Sequence, residues 1–308
     1  MTIFLSLISG VCFLLLFAGG PDYHSPRSYG EAWNLGHIFL FSTLTYLSVT
    51  IWKRPKKWSF LKQAIWILTL TLILGFLIEL GQYWIEDRTP DIFDMARNII
   101  GTLVSLTFLL PSRMTLHQYH LRILQCCTII ITFLATLPLA EALIDEAVAR
   151  KQFPLLSDFE SPMEIKRWES DSILSIDDKI SRHGRSSLKV QLTTVKYSGI
   201  HLQYFPNDWR DFNTLEFSIF NASDHPLRIH CRVHDNYHTT HDQKYSDRFN
   251  TSFFIPQGWS DKKIPVQNIV NAPKDRKMNL KNIQNFGIFC INLQQNETIY
   301  LDNVRLSD

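Results

Sequence analysis

Long apolar runs fill the first 148 residues of this 308-residue chain and then stop. Residues 3–18, 35–52 and 64–85, the stretch that becomes apolar after Asn98 and reaches Leu110, and residues 123–143 are each near the length that crosses hydrocarbon. The first half is therefore predicted to be a membrane α-helical bundle of about five spans. The first run is read as a span rather than a cleaved signal peptide, because no basic residue precedes it and no A-x-A-like end follows it. From Phe153 onward the pattern changes to short segments of period-two alternation separated by turn residues, among them Ser187–Leu192, Leu215–Phe220, Leu227–Val233, Thr251–Ile255, Phe286–Leu293 and Thr298–Leu306. That pattern predicts an all-β sandwich. Two domains follow, 1–148 and 153–308.

Charge excludes one class of partner and orients the chain. The net charge is +2 and no basic stripe with interleaved aromatics occurs, so nucleic acid is excluded as a partner. Lys53, Arg54, Lys56, Lys57 and Lys62 share one inter-span loop, and Arg113 and Arg122 another, whereas the opposite loops hold Arg27 and Arg88. Positive loops stay in the cytoplasm. The amino terminus is thus expected inside and the carboxyl-terminal domain outside, in a multipass protein of the cell (inner) membrane. Of five cysteines none forms a C-x-x-C pair, which argues against cysteine zinc sites.

The segment Gly75–Gly101 breaks the apolar pattern with Glu79, Gln82, Glu86, Asp87, Arg88, Asp91, Asp94, Arg97 and Asn98. Ionisable groups at membrane depth tend to face a bundle interior or a wet cavity and to mark function. Glu79 and Gln82 are i, i+3 neighbours, and Asp91, Asp94, Asn98 and Gly101 recur at three- and four-residue steps, so each set lines one helical face. Three readings stay open. Glu79, Asp91 and Asp94 with His37 could trade protons with a substrate. Gln82, Arg88, Arg97 and Asn98 could bind a lipid head group or sugar, with the arginines on anionic oxygens. Or the charges hold the helices in register, Arg97 with Asp94 and Arg88 with Asp91.

Taken in order, His37, E-x-x-Q at Glu79/Gln82 and R-x-x-D-x-x-D-x-x-x-N-x-x-G from Arg88 to Gly101 resemble the VanZ-like family. Its founding member is associated with resistance to the glycopeptide teicoplanin. The resemblance spans roughly residues 10–110 and implies an envelope protein with a membrane lipid or lipid-linked precursor as partner; it supplies no reaction. The sequence departs from the pattern at Ser105, where a second glycine is usual, and at Asn34, near where a basic residue often precedes the histidine.

In the second half, Asp158-Phe159-Glu160, Asp208-Trp209, Leu215–Ile219 and Tyr300–Val304 resemble the galactose-binding-like, jelly-roll carbohydrate-binding modules across nearly all of 155–308. The resemblance implies glycan as a partner. It also implies a structural calcium ion, with no other cofactor required, at Asp158, Glu160 and Asp302. Along Leu227–Val233, Leu227, Ile229, Cys231 and Val233 are assigned to the core, while Arg228, His230, Arg232 and His234 face solvent or ligand. With Asp235, Tyr237 and His238 in the following loop and Arg248 beyond it, these are the candidate sugar contacts; His234, Asp235, His238 and His241 could alternatively hold a transition metal. Trp209 is read as core and Trp168 and Trp259 as possible stacking platforms. Cys290 is expected to point away from the core, which would keep it from pairing with Cys231.

Overall fold

The computed structural model describes residues 2–22, 25–51, 59–84, 91–110 and 116–308. Arg88 and the acidic turn around it lie outside the described residues. The chain divides into two compact units, Met1–Leu143 and Ile144–Asp308.

The first unit contains α1 (Thr2–Leu15), α2 (Arg27–Ile51), α3 (Phe60–Gln82), α4 (Ile92–Val104) and most of α5 (Gln118–Gln152). Among the described residues, α2, α3 from Leu61, α4 extended to Leu109 and α5 are long and apolar enough to cross a membrane. The first helix is shorter, 14 residues over Thr2–Leu15, and the chain leaves it ahead of Gly19-Gly20. The described residues therefore give four spans by length plus one short apolar helix, against about five predicted. α3 exposes Leu61, Ile65, Trp66, Leu70, Ile73, Phe76, Leu77 and Leu80, an apolar surface that suits lipid rather than water. The Ser59 side chain starts this helix by accepting from the Lys62 amide. Asp91 does the same for α4, accepting from the Phe93 amide at 2.8 Å. Ser105 is fully buried where α4 loosens into a π turn over Ser105–Leu109, closed by the Leu110 amide on the Ser105 carbonyl.

The second unit begins inside α5. Asp145, near the end of that helix, receives the Arg167 guanidinium at 2.8, 3.0 and 3.2 Å, and both side chains are almost fully buried. This pair ties the last turns of α5 to the sandwich, so the division falls at residue 143 rather than where the apolar run ends.

The sandwich is built from two antiparallel sheets. One orders β3 (Ile173–Asp177), β4 (Ser187–Leu192), β11 (Glu297–Ser307), β6 (Thr214–Asn221) and β9 (Gly258–Pro265), with β1 (Leu155–Ser157) also on β11. The other orders β2 (Trp168–Ser170), β5 (Tyr197–Leu202), β10 (Ile283–Ile291), β7 (Leu227–Asp235) and β8 (Phe249–Ile255). Period-two alternation packs Leu188, Val190 and Leu192 of the first sheet against Ile229, Cys231, Val233, Phe286 and Ile288 of the second. Trp209 is fully buried as expected; Trp168 is buried too, its indole N–H donating to Ser157 Oγ at 3.1 Å, so it is no stacking platform.

One strand was phased wrongly from the sequence. Cys290 lies in the core with Phe286 and Ile288, while Phe289 and Ile291 face outward. Both faces of β10 are apolar, so hydrophobicity alone does not mark its inner side. Cys231 and Cys290 are nevertheless free thiols. A second difference follows Val233: β7 continues to Asp235, whose carboxylate accepts from the His238 amide and starts a short helix, α6 (Asn236–Thr240), in place of a loop.

Candidate functional site

Two polar constellations carry chemistry, one in each unit. In the helical unit, His37 on α2 sits between two groups of α4: its Nδ1 lies 2.9 Å from Asn98 Oδ1 and its Nε2 3.3 Å from Asp94 Oδ2. Arg97 bridges Asp94 at 2.5 Å and Asp91 at 3.1 Å. Glu79 on α3 accepts the Asp91 amide at 3.0 Å through Oε2, while its Oε1 is buried with no hydrogen-bond partner among the described residues. Asn98 Nδ2 is orphaned in the same way. Gly101 lets these helices approach, since a Cβ there would overlap the Ile38 carbonyl of α2. His37, Glu79, Asp91, Asp94, Arg97 and Asn98 thus come together. Gln82 does not, because its amide donates to the Leu16 carbonyl at 2.9 Å.

In the sandwich, the outer face of the β2–β5–β10–β7–β8 sheet forms a cleft of about 680 Å³. Cross-strand register explains its lining. Glu169, His201, Gly287, Arg232 and Asn250 stand in one row across five strands. Gly199, Phe289, His230 and Ser252 stand in the next. Gly199 is required there, because a Cβ would overlap the backbone of β10 beside Phe289. The Phe289 ring stacks on His230 at 5.5 Å and 20°, meets Tyr197 edge-on at 6.1 Å, and lies 5.9 Å from the Arg232 guanidinium carbon. Tyr245 and Arg248 close one end.

Burial sets the charge state of this face. It pushes His201 below the ordinary histidine value, with Arg232 adding to the effect and Glu169, bonded to the ring at 3.0 Å, opposing it. His230 is lowered by burial and by Arg228. His234 is lowered to about 3, first by burial and then by its neighbours His238, Arg232 and Arg248. The imidazoles here are therefore neutral hydrogen-bonding groups near pH 7, and the guanidiniums carry the positive charge.

Family comparisons match each unit. Residues 6–117 match the VanZ/LLP1 family and residues 157–308 match carbohydrate binding domain 30. The chain carries a VanZ-like domain and a carbohydrate-binding domain. Beta-agarase B of Vibrio sp. (strain JT0107) is 26% identical over 173 residues, which cover 50% of this chain and 18% of that protein, so the chain spans only a small part of this curated relative. Among solved structures, an exo-beta-agarase is similar at 19% identity and a TM-score of 0.40, over 50% of this chain and 24% of the other. The family 11 carbohydrate-binding module from Clostridium thermocellum, in complex with a β-1,3-1,4-mixed-linked tetrasaccharide, is similar at 18% identity and a TM-score of 0.37, over 50% of this chain and 94% of the other.

Of the sugar contacts anticipated in the carbohydrate-binding domain, His230, Arg232 and Arg248 line the cleft. The others do not. Arg228 lies on the exposed surface against Ser252 and the Phe254 ring. His234 is buried with its ring 4.8 Å from that of His238. Asp235 is fully buried, and both its oxygens accept from Arg276, at 2.6 and 2.8 Å, while the Asn279 amide adds a bond of 2.7 Å. Burial alone would raise Asp235, but these bonds outweigh it and hold the group below the ordinary aspartate value. His238 faces Asp247 at 3.3 Å, and Asp247 pairs with Arg276 as well. Tyr237 stacks on His241 at 3.7 Å and meets Arg276 at 4.5 Å, outside the cleft. Arg276, far along the chain, consumes the acids that had looked available for sugar. Tyr197, His201, Glu169 and Phe289 were missed; correct phasing of β10 would have exposed Phe289.

The carboxylates assigned to calcium are turned onto backbone amides. Glu160 Oε1 accepts from Arg185 and Ser186, Asp302 Oδ2 from Arg182 and His183, and Asp158 Oδ1 from Glu160. Among the described residues no three acidic, histidine or cysteine side chains, here or at His234, Asp235, His238 and His241, are grouped to hold a metal ion.

Proposed function

We propose that this is a membrane-anchored glycan-binding protein whose carbohydrate-binding domain takes a saccharide in the cleft across β5, β10 and β7. The cleft carries this reading: an outward aromatic, Phe289, stands among His230, His201, Glu169, Arg232 and Asn250. Sugar C–H faces stack on such a ring while neutral imidazoles and amides bond the hydroxyls. The matched family and the agarase relative point the same way. The excess of Lys and Arg in the loops 53–62 and 113–122 supports an extracytoplasmic carbohydrate-binding domain and so an envelope glycan as its ligand. The test is binding of a panel of oligosaccharides and peptidoglycan fragments to the full chain in nanodiscs. Specific binding that Arg232→Ala abolishes supports the cleft; a folded protein that binds none of them contradicts it.

A second reading concerns the VanZ-like domain, where the partnerless Glu79 Oε1 and Asn98 Nδ2 beside His37 and Asp94 suit a polar head group or a proton transfer on a lipid-linked precursor. Loss of glycopeptide resistance in cells expressing Glu79→Gln, with the protein still folded in the membrane, would support it; unchanged resistance would remove this residue from the function.

A further inference from the structure

The charge on the floor of the cleft is unevenly placed. Glu169 and Asp171 stand at the β2 edge, and Glu169 is engaged by His201. At the opposite side Arg232 on β7 faces Asn250 on β8, and Arg248 stands two residues from Asn250 on the same face. Like charges that neighbour one another across strands repel and cost stability unless an anion lies between them. Among the described residues no such anion meets Arg248. Its Nε donates to Asn250 Oδ1 at 3.0 Å, its guanidinium lies 5.4 Å from the Tyr245 ring, and no carboxylate pairs with it among the described residues. Its half-buried position holds it below the usual arginine value without removing its charge. A half-buried cation facing a cleft is unfavourable until a ligand supplies the counter-charge.

We infer that the saccharide bound here carries an anionic substituent, a carboxylate or a sulfate, whose oxygens meet the guanidinium of Arg248 beside Arg232 while the sugar ring lies on Phe289. The inference rests on the glycan reading and narrows it to acidic glycans. A planar guanidinium matches an oxyanion with two parallel hydrogen bonds, which a hydroxyl cannot supply. The acids at the β2 edge sharpen the selection, because they repel a second anionic group at that end and leave it for a neutral sugar. The cleft would then read polarity along a chain, with an anionic residue at Arg248 and an uncharged one at Glu169.

The experiment titrates the full chain in nanodiscs of neutral lipid with oligogalacturonate and its methyl ester, and with a sulfated galactan oligosaccharide and its desulfated form. The anionic member of at least one pair should bind about tenfold or more tighter, with an advantage that shrinks as salt rises. Which pair shows it separates carboxylate from sulfate. Arg248→Gln should erase the difference between the two members by weakening the anionic one more than the neutral one; Arg248→Lys should keep part of the difference. Equal binding within both pairs, or equal loss of both members in Arg248→Gln, would overturn the acidic-glycan inference while leaving glycan binding in place. No binding of any member would overturn both.

Discussion

The polar cluster of the VanZ-like domain and the cleft of the carbohydrate-binding domain use the same residue types to opposite ends. Among the helices most of the charges are spent on one another, Glu79 excepted: Arg97 pairs with Asp91 and Asp94, and His37 fits between Asp94 and Asn98. On the sheet face, among the described residues, Arg248 meets an amide oxygen and an aromatic ring and no carboxylate. A closed network holds elements together, whereas an unmet charge at a solvent-accessible cleft waits for a partner. The same contrast recurs within the sandwich, where Asp235, Asp247 and Arg276 close on themselves beside the cleft.

The comparison breaks most visibly if the closed network can lose a member without consequence. Arg97→Ala leaves two carboxylates uncompensated and should destabilise the helical unit by about 3 kcal/mol. Thermal unfolding in detergent should show this as a lower midpoint; an unchanged midpoint would mean that the cluster does not hold the helices.

A pH-dependent effect comes next. Glu164 is fully buried and pushed up to about 7, because burial disfavours its anion more than Arg167 and the amides of Phe159 and Asp158 favour it. Arg167 is too far to compensate, 4.0 Å away and committed to Asp145. Between the ordinary value near 4.5 and about 7 the folded state holds a proton that the unfolded state has lost. Stability of the sandwich should therefore fall as pH rises across that window and level off above it. Denaturation followed by the fluorescence of Trp168 and Trp209 reads the slope, and Glu164→Gln should flatten it.

The smallest effect sharpens the contrast. Arg248→Gln removes a charge with no carboxylate partner among the described residues, so it should change the unfolding free energy by no more than about 0.5 kcal/mol. A loss as large as that of Arg97→Ala would show that Arg248 serves the fold.

Much of this was legible in the sequence. The switch from long apolar runs to alternating segments gives both fold classes, and the spacing of Asp91, Asp94, Asn98 and Gly101 gives the face that meets His37. Alternation in β7 also assigns His230 and Arg232 to the outer face. What sequence could not give is long-range pairing. Asp235 looks like a free ligand until Arg276 closes on it, and Phe289 looks like core because both faces of β10 carry apolar residues. Functional faces are where hydrophobicity stops distinguishing inside from outside.

In the proposed mode, glycan binds across β5, β10 and β7 and not at the histidine-rich end of β7. The most direct measurement compares oligosaccharide affinity of the full chain in nanodiscs for Phe289→Ala and Tyr237→Ala. Phe289→Ala should weaken binding about tenfold or more, by removing the stacking surface, and Tyr237→Ala should leave it unchanged. Loss of binding in Tyr237→Ala with Phe289→Ala unaffected would contradict the account and move the site to the Arg276 network.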